Sequence, residues 1–193
     1  MLRVVFAFLC ISCVANAKNL KASAVLRNNA TGVNGLITFE ESAEGILIKG
    51  NITGLKPGAH GFHVHEKGDI SDPKCKSAGG HFNPFNKTHG SPQDSDRHVG
   101  DLGNIQVSDP LTTFAFFDKV ISLKGDTSII GRAIVIHEDI DDFGRGKFDD
   151  SKTTGHAGAR LACGVIELNS GSQHRMSILF SSFLVFLIFV ANQ

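Results

Sequence analysis

The chain has 193 residues, 41% hydrophobic and 20% charged, enough for one domain with a real core. Its formal net charge is zero and its basic residues are scattered rather than striped, which excludes a nucleic-acid binder of the usual basic kind. Neither a second domain nor an internal repeat is discernible.

Residues 1–17 read as a secretory signal. Arg3 precedes an apolar run from Val4 to Val14, and Ala15-Asn16-Ala17 is a small-x-small cleavage site. Cleavage would leave Lys18 first and remove Cys10 and Cys13. Cys75 and Cys163 would remain, and in an oxidising compartment an isolated pair most simply forms one disulfide. Two free buried thiols are the alternative. The bond would close a loop of about ninety residues, roughly 4–5 kcal/mol in a chain-entropy account. Sequons at Asn29, Asn51 and Asn86 agree with secretion. A glycan on Asn86 would stand among the candidate ligands and could disturb loop packing.

Between residues 20 and 168 short apolar runs alternate with Gly, Asp, Asn and Pro. Strands are predicted at 21–27, 34–41, 45–52, 60–66, 102–107, 113–118, 132–137 and 161–168. Eight short strands without a convincing amphipathic helix predict an all-β sandwich or barrel. Segments 67–101 and 138–160 are too long for simple connections, and loops of that size in a compact domain are usually functional.

The first long segment and its flanks carry the most informative pattern. His63 and His65 lie two apart, so on a strand both imidazoles share a face and can reach one cation. His89, His98 and Asp101 follow along the loop, two nitrogens and a carboxylate that suit zinc with a fourth ligand to come. His81 lies between the groups and could serve either, and His137 answers later. Six of nine histidines are thus gathered in spacings that imply two metal ions.

The end of the chain, residues 170–193, reads as a spacer and anchor. Small residues Asn169 to Ser172 and a polar Gln173-His174-Arg175 precede a mostly apolar run from Ile178 to Ala191. As a helix this run spans about 21 Å, short of the roughly 30 Å hydrocarbon core. The arrangement matches a GPI-anchor signal with a short spacer, and a short membrane-spanning tail is the alternative. Residues 18–169 are then expected to be the mature domain.

Gly61–Glu66, Ala78–Pro84, His98–Asn104, Ile130–Glu138, Gly158–Cys163 and Gly164–Ile166 resemble copper/zinc superoxide dismutase, and the likeness runs from about residue 20 to 168. The resemblance implies an eight-stranded Greek-key β-barrel, a flattened sandwich with two long functional loops. It implies an enzyme that dismutates superoxide to oxygen and hydrogen peroxide in extracellular antioxidant defence. His63, His65, His81 and His137 would hold copper; His81, His89, His98 and Asp101 would hold zinc. His81 would be shared as an imidazolate, and its copper bond would break as it takes a proton. Asp141 would accept hydrogen bonds from His63 and His89. Arg160 would attract the superoxide anion. Cys75 and Cys163 would be bonded, tying the metal loop to the final strand.

The family's departures here are Thr153 in place of lysine, with Lys152 one earlier, the shorter pair Asp149-Asp150, and His156 in place of asparagine. His60, His156 and His174 are expected to be non-ligands. A homodimer is implied, although Asp69–Lys74 with its Pro73, and Glu167, depart from the family near that surface. A metal-binding module without catalysis, or a copper-only enzyme, would be the competing outcomes. The complete ligand set with Arg160 counts against the first, and the full zinc set against the second.

Overall fold

Alternating burial along the strands builds the molecule. The computed structural model describes residues 19–28, 30–108 and 110–169. Its strands are β1 (Lys21–Arg27), β2 (Asn34–Ser42), β3 (Gly45–Thr53), β4 (Gly58–His65), β5 (Asp101–Val107), β6 (Leu111–Asp118), β7 (Ala133–His137), β8 (Arg160–Val165) and β9 (Glu167–Leu168). They form two antiparallel sheets, β6-β3-β2-β1-β9 and β5-β4-β7-β8. β6 returns to pair with β3, and β7 returns to pair with β4, which are Greek-key crossings.

Inward residues of both sheets meet in one core that includes Ile37, Phe39, Ile48, Phe62, Ile134 and Ile136. Phe62 lies edge-on to Phe114 at 5.6 Å and to Phe116 at 6.4 Å. Burying each such side chain contributes about 1.5–3 kcal/mol before entropic costs.

β4 and β7 are buried on both faces, and this positions the site. Phe62 and Val64 point into the core, so His63 and His65 point to the outer face of the four-stranded sheet. That face is not solvated: both histidines have no exposed surface. The long segments cover it. On β7, Ile134 and Ile136 face the core while Ala133 and Val135 pack with Cys75, Ala78 and Cys163.

The predicted strand 161–168 is two strands, a correction to the sequence expectation. Its chain leaves one sheet at Ile166, whose N–H donates to Arg132 O at 2.8 Å and whose carbonyl accepts from Gly131 N at 2.8 Å. Glu167 and Leu168 then pair with Ser23 and Ala22 in the other sheet. The buried Ile166 side chain anchors this corner, and the mostly apolar stretch Leu161–Leu168, interrupted at Gly164 and Glu167, does not announce it. The long segments contain only a 3-10 turn at Lys76–Ala78 and one helical turn, α1 (Ser151–Thr154). No helix among the described residues is long and apolar enough to cross a membrane. The expected signal, the expected anchor, Asn29 and His174 lie outside the described residues.

Candidate metal centre

Two bulges aim the strand-borne side chains. Register slips between Gly61 and His63 where β4 meets β5, and between Ile136 and His137 where β7 meets β8. Bulges of this kind re-aim side chains beside active sites. His63 pairs with Asp101 and with Val135, and His137 pairs with Arg160, so sheet pairing alone joins four of the predicted residues.

Four of the histidines, His63, His65, His89 and His137, have one ring nitrogen already committed. His65 Nδ1 donates to Gly79 O at 2.9 Å, and His137 Nδ1 donates to Gly158 O at 3.4 Å. His63 Nε2 donates to Asp141 Oδ2 at 2.9 Å, and His89 Nε2 donates to Asp141 Oδ1 at 2.8 Å. In the neutral rings these partners assign the tautomers, so the opposite nitrogens are then lone-pair acceptors. The Nε2 atoms of His65 and His137 then face each other at 3.3 Å with no proton to share. His63 Nδ1 and His81 Nε2 are buried without any hydrogen-bond partner. Lone pairs converging in a buried place fit a cation and little else.

The second group surrounds Asp101. Its Oδ1 lies 2.9 Å from His81 Nδ1, 3.0 Å from His89 Nδ1 and 3.1 Å from His98 Nδ1. The His89 contact is close but off-axis, and His89 Nδ1 counts among the buried nitrogens with no hydrogen-bond partner. Such separations approach the edge of about 3.3 Å in a tetrahedron with ligands about 2.0 Å from its centre. Asp101 Oδ2 accepts from the backbone of Gly90 at 3.1 Å and His98 at 2.9 Å. The carboxylate is thus locked on one side and presented on the other.

In sum, ligand atoms of His63, His65, His81 and His137 lie within 4.8 Å of one another, as do those of His81, His89, His98 and Asp101. His81 belongs to both sets through different nitrogens. A third close group, His63, His89 and Asp141, meets the same 4.8 Å limit. Its contacts are the two hydrogen bonds just described, so it orients ligands rather than offering a further site.

Electrostatics of the metal-free centre agree. Burial drives His65 and His137 well below the ordinary imidazole value, and the neighbouring histidine charges add to it. Burial and then His63 hold His81 down to about 3. Burial would also lower His89, but Asp101 and Asp141 outweigh it and raise His89 to about 9. Burial opposes charge on Asp101 and Asp141, yet their histidine hydrogen bonds keep both carboxyls well below the usual carboxylate range. Two anionic carboxylates among imidazoles are what divalent cations require.

The copper/zinc superoxide dismutase (SODC) family pattern matches residues 33–166. Superoxide dismutase 5 (Cu-Zn) of Dictyostelium discoideum is 52% identical over 150 residues, 76% of this chain and 98% of that protein. The extracellular Cu-Zn superoxide dismutase of Haemonchus contortus is 49% identical over 158 residues, 81% of this chain and 86% of its own length. Among solved structures, the clock protein EA4 is similar with a TM-score of 0.72 and 50% identity, covering 76% of this chain and 93% of that one.

The chain belongs to the copper/zinc superoxide dismutase family.

The enzyme dismutates superoxide, and its cofactors are copper and zinc. Besides the histidines, this dismutase carries a disulfide between Cys75 and Cys163, 88 residues apart. Arg160, half-buried, donates Nη1–H to Cys75 O and Nη2–H to Gly79 O, each at 2.6 Å. Gly79 O therefore receives both Arg160 and His65. Of the expected non-ligands, His60 is buried with Nδ1 2.9 Å from His137 O and Nε2 2.9 Å from Lys56 O. His156 pairs with Asp150 at 2.7 Å and stacks on Phe148 at 3.6 Å, outside both ligand sets.

Two supporting residues escape sequence reasoning. Asn104 donates its amide N–H to Asp141 O at 2.9 Å and accepts from Asp141 N at 2.8 Å, clamping the carboxylate's backbone. Gly155, at φ +67°, leaves the space Asp141 needs: a Cβ there would stand 2.0 Å from Asp141 Oδ1. A glycine in a loop carries no such signal until its neighbour is known.

Proposed function

We propose that this dismutase holds copper at His63 Nδ1, His65 Nε2, His81 Nε2 and His137 Nε2, and zinc at His81 Nδ1, His89 Nδ1, His98 Nδ1 and Asp101. The observation carrying this assignment is that His81 belongs to both buried sets, with Nδ1 2.9 Å from Asp101 Oδ1 and Nε2 buried without a hydrogen-bond partner. When bound, copper supplies the one-electron couple that takes an electron from one superoxide and returns it to a second, while zinc supplies a fixed charge.

The chain's own residues do the rest. Asp141 holds His63 and His89 in their tautomers, as carboxylates behind metal-binding histidines do. His81 can hold a proton at Nε2 while Nδ1 stays directed at Asp101, which suits a reaction that consumes two protons per hydrogen peroxide. Arg160 is the anion guide, with a guanidinium fixed by two carbonyls and free to offer its remaining N–H groups to superoxide. The segments 66–100 and 138–159 cover the histidines and keep bulk water away from them.

The same reading places the enzyme outside the cell. Residues 1–17 act as an export signal, residues 18–169 are the working domain, and residues 170–193 tether it to the outer surface through a lipid anchor or a short span. An extracellular relative, a disulfide and exposed sequons at Asn51 and Asn86 support export. The domain works as a homodimer, to be checked by sedimentation. Purified protein should contain one copper and one zinc per chain and consume superoxide; loaded protein without dismutation would refute the assignment. A GPI-specific phospholipase should release it from cells, whereas retention would favour a spanning tail.

A further inference from the structure

Arg160 also lines a cleft of about 750 Å³ whose rim carries Lys74 and Lys76 as well as Glu138. Three cationic side chains and one carboxylate line the cleft, and the Asp72 carboxylate behind it also acts on all three cations, which leaves the balance positive by one. The lysines flank Cys75, the residue whose carbonyl receives the Arg160 guanidinium. Their segment is fixed by the disulfide to Cys163 on β8. Asp72, in the same segment, turns its carboxylate to the backbone N–H of Lys74 at 3.1 Å and of Lys76 at 2.9 Å, and it does not line the cleft. Among the described residues neither lysine ammonium has an ion-pair partner.

Across the site the charges are otherwise disposed. Thr153 occupies the position where the family often has lysine. The Lys152 stem lies near Gly144, with Cδ 3.6 Å from a Cβ placed there. His156 is engaged by Asp150. Of the lysines, those that line the cleft beside Arg160 are Lys74 and Lys76 of the disulfide-bearing segment, and none of the 138–159 segment does.

We propose that Lys74 and Lys76, with Arg160, form an anion-collecting vestibule that steers superoxide to the copper side of the centre. The inference rests on the dismutase reading and adds the residues that set its capture rate. A small anion drawn to the two lysines meets Arg160 next, and Arg160 shares the Gly79 carbonyl with His65. Charge in a cleft focuses the field and raises local substrate concentration, and salt screens it. Glu138, in the same cleft, works against capture.

The test uses the metal-loaded full-length protein and the rate constant for superoxide consumption measured against ionic strength. Lys74→Ser/Lys76→Ser should lower the low-salt rate about fourfold, about twofold per charge acting across about 10 Å of water. Its salt dependence should be shallower, and at high salt it should merge with the parent. Glu138→Gln should shift the rate the opposite way. Lys49→Ser/Lys124→Ser, an equal charge change on the side of the five-stranded sheet, should leave the salt slope nearly unchanged. Independently of turnover, inorganic phosphate should shift the amide resonances of Lys76, Ala159, Arg160 and Leu161, more weakly in the Lys74/Lys76 variant. An unchanged salt slope in that variant, an equal loss in the control pair, or phosphate shifts indifferent to the two lysines would overturn the proposal. A parent protein that gathers phosphate there but does not consume superoxide would instead sink the catalytic reading.

Discussion

At the scale of single residues, five of the proposed ligands, His63, His65, His89, His137 and Asp101, are oriented by a partner behind them. Asp141 is the most consequential, since its two oxygens orient one histidine of each metal set. Asp141→Asn keeps the shape but offers only one acceptor oxygen, so one imidazole must face an amide N–H. Zinc affinity should fall about 10–100-fold, the usual cost of losing such a partner, measured by competition with a chelator; unchanged affinity would show that Asp141 is a bystander. The metal-free protein should also have a bell-shaped stability profile. His65, His81 and His137 resist protonation in the fold, so stability falls as pH drops below their ordinary 6.5, through about 3 for His81. The depressed carboxyls of Asp101 and Asp141 add to the loss at the acid end. His89, raised to about 9, contributes fully below 6.5 and loses its contribution as pH rises through 9. Urea midpoints should peak near neutrality, and a midpoint that climbs steadily from pH 7 to 9 would contradict this.

At the scale of elements, strands position and loops enclose. The strand-borne histidines were legible because His63 and His65 share a face by simple alternation, and dense histidines in a long segment are hard to explain otherwise. The bulges beside Gly61 and Ile136 were not legible, because a register slip depends on the partner strand. The turn at Ile166 was hidden for a related reason: β8 and β9 follow each other in a mostly apolar stretch, and the corner hydrogen bonds to Arg132 and Gly131 divide it. Asp141 had no local signal within Asp139–Asp142 and was singled out through family resemblance alone. Gly155 shows how closely the second long segment is fitted to the site. Gly155→Ala combines a left-handed backbone with a Cβ 2.0 Å from Asp141 Oδ1, so it should destabilise the fold by at least about 1 kcal/mol. Zinc should also be lost to a chelator sooner than in the parent, and equal zinc retention would show that the segment yields without disturbing Asp141.

At the scale of the whole molecule, a barrel core and a disulfide hold two long segments against one sheet face, and a pair of bound cations would add to that. Cys75 belongs to the second, smaller cluster with Val135 and Cys163, and its carbonyl also receives Arg160. Cys75→Ser/Cys163→Ser should therefore cost roughly 4–5 kcal/mol by loop entropy and loosen the guanidinium as well. Activity should fall further than metal content, and a parallel loss of both would assign the disulfide to stability alone. The central claim is that one imidazole, His81, joins two cations. Co(II) placed in the zinc position beside Cu(II) tests it most directly, because paramagnetic ions sharing an imidazolate are magnetically coupled. The copper electron paramagnetic resonance signal should be quenched or strongly broadened when cobalt is present; an unperturbed copper signal at full loading of both ions would contradict a shared His81.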